Sequence, residues 1–499
     1  MSLGTAALLL GLAAADPRVH DPAYELSLVA ADPDLVTPVG LAFDERGRLL
    51  VIESHTHFRP EGYEGPPADR IRLAEDTDGD GKADRFRSFY EGSNFTMGLR
   101  PGPDGWMYVA TRQEVFRLKD ADGDGTAETR EDVVRLVTEG DYPHNGLSGL
   151  AFGPDDKLWF GMGENLGEPY ELVGKLYIGM GQNRGAAYDL HGGNGNRIAG
   201  GGEGGNVFRC DPDGGNLERV ATGFWNPFGL CFDPHGRLFA VDNDPDASPP
   251  CRLLHVVPGG DYGFQFRYGR AGRHPLQAWD GELPGTLPMA AGTGEAPCAV
   301  VPHEGRLWVT SWGHHRIERF AMRHDGATVV GVPEVVVQGD ENFRPVDLAV
   351  APNGDLYFTD WVDKSYPLHG KGRLWRLRKK EGAPAASASF PPLSDDERRA
   401  AEARAQIDLA ALASDDPFLR QAAAWGLVTA KDISGVRWEE LSDARQRLGL
   451  LEAKRWRGDM TGEARNELLA KALDDPDADV RLYAVRWIAD ERIEDLQEA

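Results

Sequence analysis

Six times along the chain a run of alternating apolar residues meets a Gly- or Asp-containing turn and returns as a second alternating run. The copies are PVGLAFDERGRLLVIE (38–53), TMGLRPGPDGWMYVAT (96–111), LSGLAFGPDDKLWFGM (147–162), PFGLCFDPHGRLFAVD (227–242), PCAVVPHEGRLWVTSW (297–312) and PVDLAVAPNGDLYFTD (345–360). Period-two alternation on both sides of a turn is the pattern of a β-hairpin. Aligned on Gly40, Gly98, Gly149, Gly229, Ala299 and Asp347, the copies recur every 48 to 80 residues. One hairpin cannot bury both of its faces, so six copies close most economically as a radial array of four-stranded sheets, a six-bladed β-propeller. A β-sandwich would not explain the same turn beside the same strand pair. In a propeller the innermost strands line a central channel, and the loops entering them gather at one mouth, where ligands bind.

The propeller pattern spans 24–380 and ends on GRLWRLRKK (372–380); EGAPAASASFPPLSDD (381–396) is rich in Ala, Pro and Ser and reads as a linker. From 397 to 499 glycine almost vanishes and helical periodicity takes over. LASDDPFLRQAAAWGL (412–427) and ALDDPDADVRLYAVRWIAD (472–490) echo each other as an acidic Pro-containing turn before a helix, the pattern of HEAT-type repeats. The expected architecture is therefore mainly β, a six-bladed propeller followed by a small all-α HEAT-like segment, with the repeat pattern still running at the last residue. Residues 1–15 contain LGTAALLLGLAAA, which reads as a secretory signal peptide without a preceding Lys or Arg, so export to the periplasm or the cell surface is expected. With 80 Asp+Glu against 54 Lys+Arg the formal net charge is −26, which argues against nucleic-acid binding through a basic face and asks for bound cations. The four cysteines have no CxxC spacing, which gives no support for a zinc ribbon, a thioredoxin motif or an attached haem; pairing and simple burial both stay open.

Two segments supply a cation chemistry. Asp76, Asp78, Asp80 and Asp84 occupy positions 1, 3, 5 and 9 of a loop with Gly81 at position 6, and Asp120, Asp122, Asp124 and Glu128 repeat the arrangement with Gly125. Carboxylates at that spacing wrap a hard cation of high oxygen demand, and the glycine permits the sharp turn. Structural calcium is expected in both loops. Glu131 adds an acid at position 12 of the second loop, where the first has Arg87.

At the ends of the inner strands lie His144, Glu164, Asn165, Asn226, Asp242, Asp244, Trp312, His314, His315, Arg344, Asp360 and Trp361. His144 stands before GLSGLAFGPDDKLWFGMGE; Asn226 stands in WNPFGLCFDPHGRLFAVDND, which is followed by GGDYGF; Arg344 stands in NFRPVDLAVAPNGDLYF. These segments resemble the soluble glucose/sorbosone dehydrogenases, six-bladed propellers that hold pyrroloquinoline quinone (PQQ) and calcium on the channel axis. The pair of DGDG loops with the helical tail resembles more closely the planctomycete proteins called membrane-bound dehydrogenases. That resemblance implies an exported quinoprotein-like dehydrogenase oxidising a sugar or related alcohol, with a cytochrome c as electron acceptor and a protein partner docked on the helical repeats.

It also implies roles. His144 would be the base that takes the hydroxyl proton, oriented by Asp141, and a near-neutral imidazole suits the task. Arg344 would pair with a cofactor carboxylate or polarise a quinone oxygen. Asn226 would hold the loop or the cofactor, Trp225 stands in the cofactor cradle, and Asp242 and Asp244 sit where the cofactor calcium is held largely by backbone oxygens. The chain departs from the family at three cations, carrying Trp225, Gly313 and Val346 where an Arg, a Lys and a second Arg stand. PQQ carries three carboxylates, so these losses weaken its cradle. Trp225, Trp312 and Trp361 are suited equally to stacking on sugar rings and to packing the channel. The alternative function is a non-catalytic, calcium-stabilised propeller that binds glycan or protein.

Overall fold

The structure, a computed structural model, describes residues 16–175, 196–246, 249–384 and 388–496. The expected signal peptide of residues 1–15 lies outside the described residues.

All six hairpins form, and each supplies the two inner strands of one sheet. Blade 1 runs through Pro38–Phe43, Leu49–Glu53, Asp69–Glu75 and Arg85–Ser93. Blade 2 begins at Thr96–Pro101, blade 3 at Leu147–Phe152, blade 4 at Pro227–Phe232, blade 5 at Pro297–His303 and blade 6 at Pro345–Val350. Two blades exceed the expected four strands. Blade 2 gains Tyr170–Gly174 and Arg197–Gly200 on its outer edge, and blade 5 gains Arg18–Val19. Blade 6 takes its outermost strand, Tyr24–Ala31, from the start of the chain, pairing it with Arg373–Lys379. The first long strand thus closes the ring on the last.

Every inner hairpin carries a register shift near its start, between Pro38 and Gly40 in blade 1 and at the equivalent point in the other five. Bulges bend a strand and sharpen its twist, as strands converging on an axis require. The small residues there have a steric cause. A Cβ on Gly149, whose φ is +51°, would lie 2.5 Å from Leu230 Cδ1, and one on Gly229 would lie 2.8 Å from the Cys298 carbonyl oxygen. Five of the aligned positions, Gly98, Gly149, Gly229, Ala299 and Asp347, line a cavity of about 30 Å³ between the inner strands.

Three of the hairpins also end alike. Glu53, Asp242 and Asp360 close the second strands of blades 1, 4 and 6, and each carboxylate accepts backbone N–H groups of its own blade's entering loop. An arginine from the third strand, Arg72, Arg252 or Arg373, pairs with it at 2.7 to 2.9 Å. Buried charges that are paired and hydrogen-bonded fix geometry. These corners hold the loops of the mouth in place.

After the propeller come helices α1 (Asp395–Ala405), α2 (Leu409–Leu412), α3 (Pro417–Thr429), α4 (Ala444–Arg457), α5 (Gly462–Leu473) and α6 (Ala478–Glu491). The echoed turns cap helices as expected: Asp416 accepts from Phe418 and Leu419 N–H with Pro417 in the first turn, and Asp477 accepts from Asp479 and Val480. The helices pack on the outer side of blade 4, whose fourth strand is only Ala291–Gly292. Phe418, Leu419, Ala422, Ala423 and Leu427 share one core with Leu254, Val256 and Val257. Arg237 of blade 4 crosses that interface, buried, with Asp233 at 2.7 Å and Glu397 at 2.6 Å. All four cysteines are free thiols, three of them buried.

Candidate functional site

Loops entering the first strand of a blade and leaving the second lie at the same end of an antiparallel pair, so the residues singled out above share one mouth of the channel. His144 enters blade 3, Asn226 enters blade 4 and Arg344 enters blade 6. Asn226 Nδ2 donates to the His144 carbonyl at 2.9 Å. Arg344 joins indirectly: its guanidinium lies 4.8 Å from the Trp312 ring, Trp312 stacks on Tyr366 at 5.5 Å, and Tyr366 lies 5.1 Å from His144.

The His144 ring has a partner that sequence reasoning missed. His57, which leaves blade 1, lies edge to edge with it, ring centroids 5.4 Å and planes 13° apart, and His57 Nε2 lies 3.1 Å from His144 Nδ1. His57 Nδ1 in turn lies 3.1 Å from the Tyr366 carbonyl oxygen. Asp141, expected to orient His144, is exposed, and no hydrogen bond joins the two among the described residues. Tyr142 and Phe58 complete the aromatic wall. Burial, reinforced by the His57 ring, holds His144 down to about 3, and burial lowers His57 as well. The near-neutral imidazole expected from sequence is therefore a neutral pair of rings.

The loop leaving blade 3 carries Glu164, 3% exposed, whose Oε1 accepts from Asn145 Nδ2 at 2.5 Å while Oε2 has no partner. Burial pushes its carboxyl up to about 8. The Asn226 Oδ1 is likewise buried without a partner. Asn165 serves structure, bridging Arg112 and Thr138.

Three side chains expected at the cofactor are engaged within the protein. Asp242 is fully buried, holding Arg252 and the N–H groups of Trp225 and Asn226. Trp225 packs into a small core with Phe264 and Trp279, and its exposed neighbour is Arg270, 5.5 Å from its ring. Arg344 is 1% exposed and gives Nη1 to the carbonyls of Trp312 and Gly313. Asp244 instead faces Cys251 and Glu295, the three bringing ligand-capable atoms within 4.8 Å of one another. His314 accepts from Glu295 N–H at 3.0 Å. Trp361 is buried and donates to the Ser365 carbonyl.

The family's PQQ cradle is altered at this mouth: Trp225 and Gly313 offer no charge and Arg344 is spent on backbone carbonyls, while exposed Arg270, paired with Asp246 at 2.7 Å, stands beside Trp225. Tyr366, 44% exposed, stands over the ring of Trp312.

On the outer edge the two acidic loops adopt matching geometry. Asp76 accepts from Gly79 and Gly81, and Asp120 from Gly123 and Gly125, at 2.7 to 3.1 Å. Asp120, Asp122, Asp124 and Glu128 converge, as do Asp76, Asp78 and Asp84. Two expected acids do not join: Asp80 accepts from Lys82 N–H, and Glu131 pairs with Arg117.

The signal that would have found His57 was the repeat itself. ESHTHF follows the first hairpin where GENLG, NDPD and GHH follow later ones.

A family model described as a domain of unknown function (DUF7133) matches residues 14–257, just under half of the chain. No curated protein matches it. Among solved structures the chain is similar to an oxidoreductase (glucose dehydrogenase) from Thermus thermophilus, at 20% identity and TM-score 0.50, covering 71% of this chain and 100% of that one. It is similar also to a Trichoderma reesei protein of Carbohydrate-Active Enzymes Family AA12, at 16% identity and TM-score 0.51, covering 75% and 100%. At these identities the likeness shows the fold, a six-bladed β-propeller, which the helical segment of this chain extends.

Proposed function

We propose that the protein is an exported propeller oxidoreductase that oxidises a sugar or related alcohol at the channel mouth. The observation that carries this reading is His144: a neutral imidazole at the mouth, partly exposed, whose Nδ1 is engaged by His57 and whose Nε2 is reached by no hydrogen bond among the described residues. Such an atom is too weak a base for a resting alcohol, but it can take the hydroxyl proton as the hydride leaves and the oxygen turns strongly acidic. The stacked Trp312 and Tyr366 offer flat apolar faces beside it. Oxidation of an alcohol to a carbonyl releases one hydride and one proton. With three of the family's cradle cations replaced by Trp225, Gly313 and Val346, a quinone without carboxylates suits the mouth as hydride acceptor, and it ends as the hydroquinone. The two acidic loops hold calcium structurally, and the helical segment offers a surface for a protein partner.

The test is oxidation of a panel of aldoses and polyols by the calcium-loaded protein, with a carboxylate-free benzoquinone or with PQQ as acceptor. Quinone reduction that follows substrate, with no binding of PQQ by calorimetry, supports the reading. The same three replacements favour a second reading, a non-catalytic propeller that binds glycan. Sugar binding by calorimetry without reduction of any acceptor would select that one.

A further inference from the structure

A carbonyl oxygen has no proton to give, so the contact between His57 Nδ1 and the Tyr366 carbonyl decides a chain of tautomers. His57 must carry its proton on Nδ1, which leaves Nε2 as an acceptor. His144 Nδ1 faces that acceptor at 3.1 Å and must therefore carry the proton of its own ring. The only basic atom left on His144 is Nε2.

We propose that His57 is a positioning residue of the mouth, fixing His144 in the Nδ1–H tautomer with Nε2 as its base, through an anchor on the Tyr366 carbonyl. This deepens the reading of His144 as the base and rests on it for its catalytic meaning, though the tautomer itself is a property of the resting protein. The surroundings hold the arrangement. His57 is buried, with Phe58 edge-on at 4.9 Å and Trp361 edge-on at 5.9 Å, while Tyr142 stands edge-on to His144 at 4.6 Å. Asp69, the carboxylate nearest His57 in effect, is fully buried and already holds His55 N–H, Thr56, Thr96 N–H and the Thr96 hydroxyl.

An imidazole in place of a carboxylate changes what the pair can do. A carboxylate partner would stabilise a lone imidazolium. Here the proton taken at Nε2 lets the Nδ1 proton slide toward His57, whose own Nδ1–H stays on the carbonyl, so one positive charge is shared by two rings.

The experiment is nitrogen-15 NMR of histidine-labelled protein, with His144 assigned through His144→Ala. In the wild type the His144 Nδ1 resonance is expected as the protonated, pyrrole-like nitrogen and Nε2 as the unprotonated one. His57→Gln keeps an amide N–H for the carbonyl and an oxygen for His144, so it is expected to preserve the pattern. His57→Leu removes both and is expected to move His144 toward the Nε2–H form, with kcat on an alcohol substrate lowered by about 10² and KM little changed. Wild-type His144 protonated at Nε2, or an unchanged tautomer in a folded His57→Leu protein, would overturn the proposal. If His57→Leu fails to fold, the wild type and His57→Gln still decide it. Absence of any oxidation beside the expected tautomer would sink the reading of function and leave the positioning role standing.

Discussion

Glu164 is the mouth residue whose environment strains its chemistry most. Its carboxyl titrates near 8 because burial penalises the anion and Asn145 supplies only one hydrogen bond. A raised folded value means the group contributes stability that is whole below the ordinary carboxylate range and is lost as pH rises through about 8. Glu164→Gln keeps the contact with Asn145 and cannot ionise. It is expected to stabilise the protein at pH 9 by about 1–3 kcal/mol, read as a higher thermal midpoint, and to leave the midpoint at pH 4 nearly unchanged. An unchanged midpoint at pH 9 would contradict the buried assignment. His144 acts in the opposite sense. Its depressed value means the unfolded chain takes up a proton that the folded one refuses, so its contribution falls as pH drops from about 6.5 toward 3. Much of this was hidden in the sequence. Residue type and position marked His144, Asn226 and Arg344, but the partner of an imidazole is set by how loops from different blades meet. His57 is 87 residues away from His144 in the chain, and Tyr366 approaches from blade 6. The environment of Asp242 was hidden as well: nothing in the sequence says that a buried arginine one strand away claims the carboxylate of an acid ending a strand at the channel mouth.

At the scale of elements the inner hairpins were fully legible, because period-two alternation around a turn needs no knowledge of distant contacts. The outer strands were not. Arg18–Val19, Tyr170–Gly174 and Arg197–Gly200 are edge additions whose pairing depends on the neighbouring sheet. Blade 4 keeps a two-residue outer strand because helix α3 covers that flank instead. The interface is held by apolar packing and by Arg237, whose guanidinium is satisfied by one carboxylate from its own blade and one from α1. Arg237→Ala would leave Asp233 and Glu397 buried without their cation, at a cost of about 3–5 kcal/mol. The expected result is a separate early unfolding transition of the helical segment by calorimetry; a single unshifted transition would contradict the assignment. Gly149→Ala tests the crowding of the inner strands. Its positive φ and the Leu230 side chain 2.5 Å from a new Cβ predict a clear loss of stability, whereas an exposed loop glycine such as Gly62, with open space around it, should cost less.

Across the whole molecule the excess of acid resolves into local tasks. Several carboxylates tie blade corners to arginines, and seven converge in the two edge loops. Those loops bear on ring closure. Ala83 of the first donates to the Val29 carbonyl in the closing strand of blade 6, and Ala127 of the second donates to Phe89 of blade 1. Calcium there would lock neighbouring blades together, adding about 2.7 kcal/mol at a hundredfold excess over Kd. Chelation is accordingly expected to lower the thermal midpoint and to speed proteolysis near residues 24–31, and Asp76→Asn with Asp78→Asn should reproduce the loss in saturating calcium. No described helix is long and apolar enough to cross a membrane. The central claim is that His144 serves as the base at the mouth of this propeller, and steady-state oxidation of an aldose by the wild type and by His144→Ala tests it most directly. A kcat about 10²–10⁴ lower in the variant with KM retained is expected, together with a wild-type rate that does not fall between pH 7 and 5, since His144 stays unprotonated down to about 3. Full turnover by His144→Ala would contradict it.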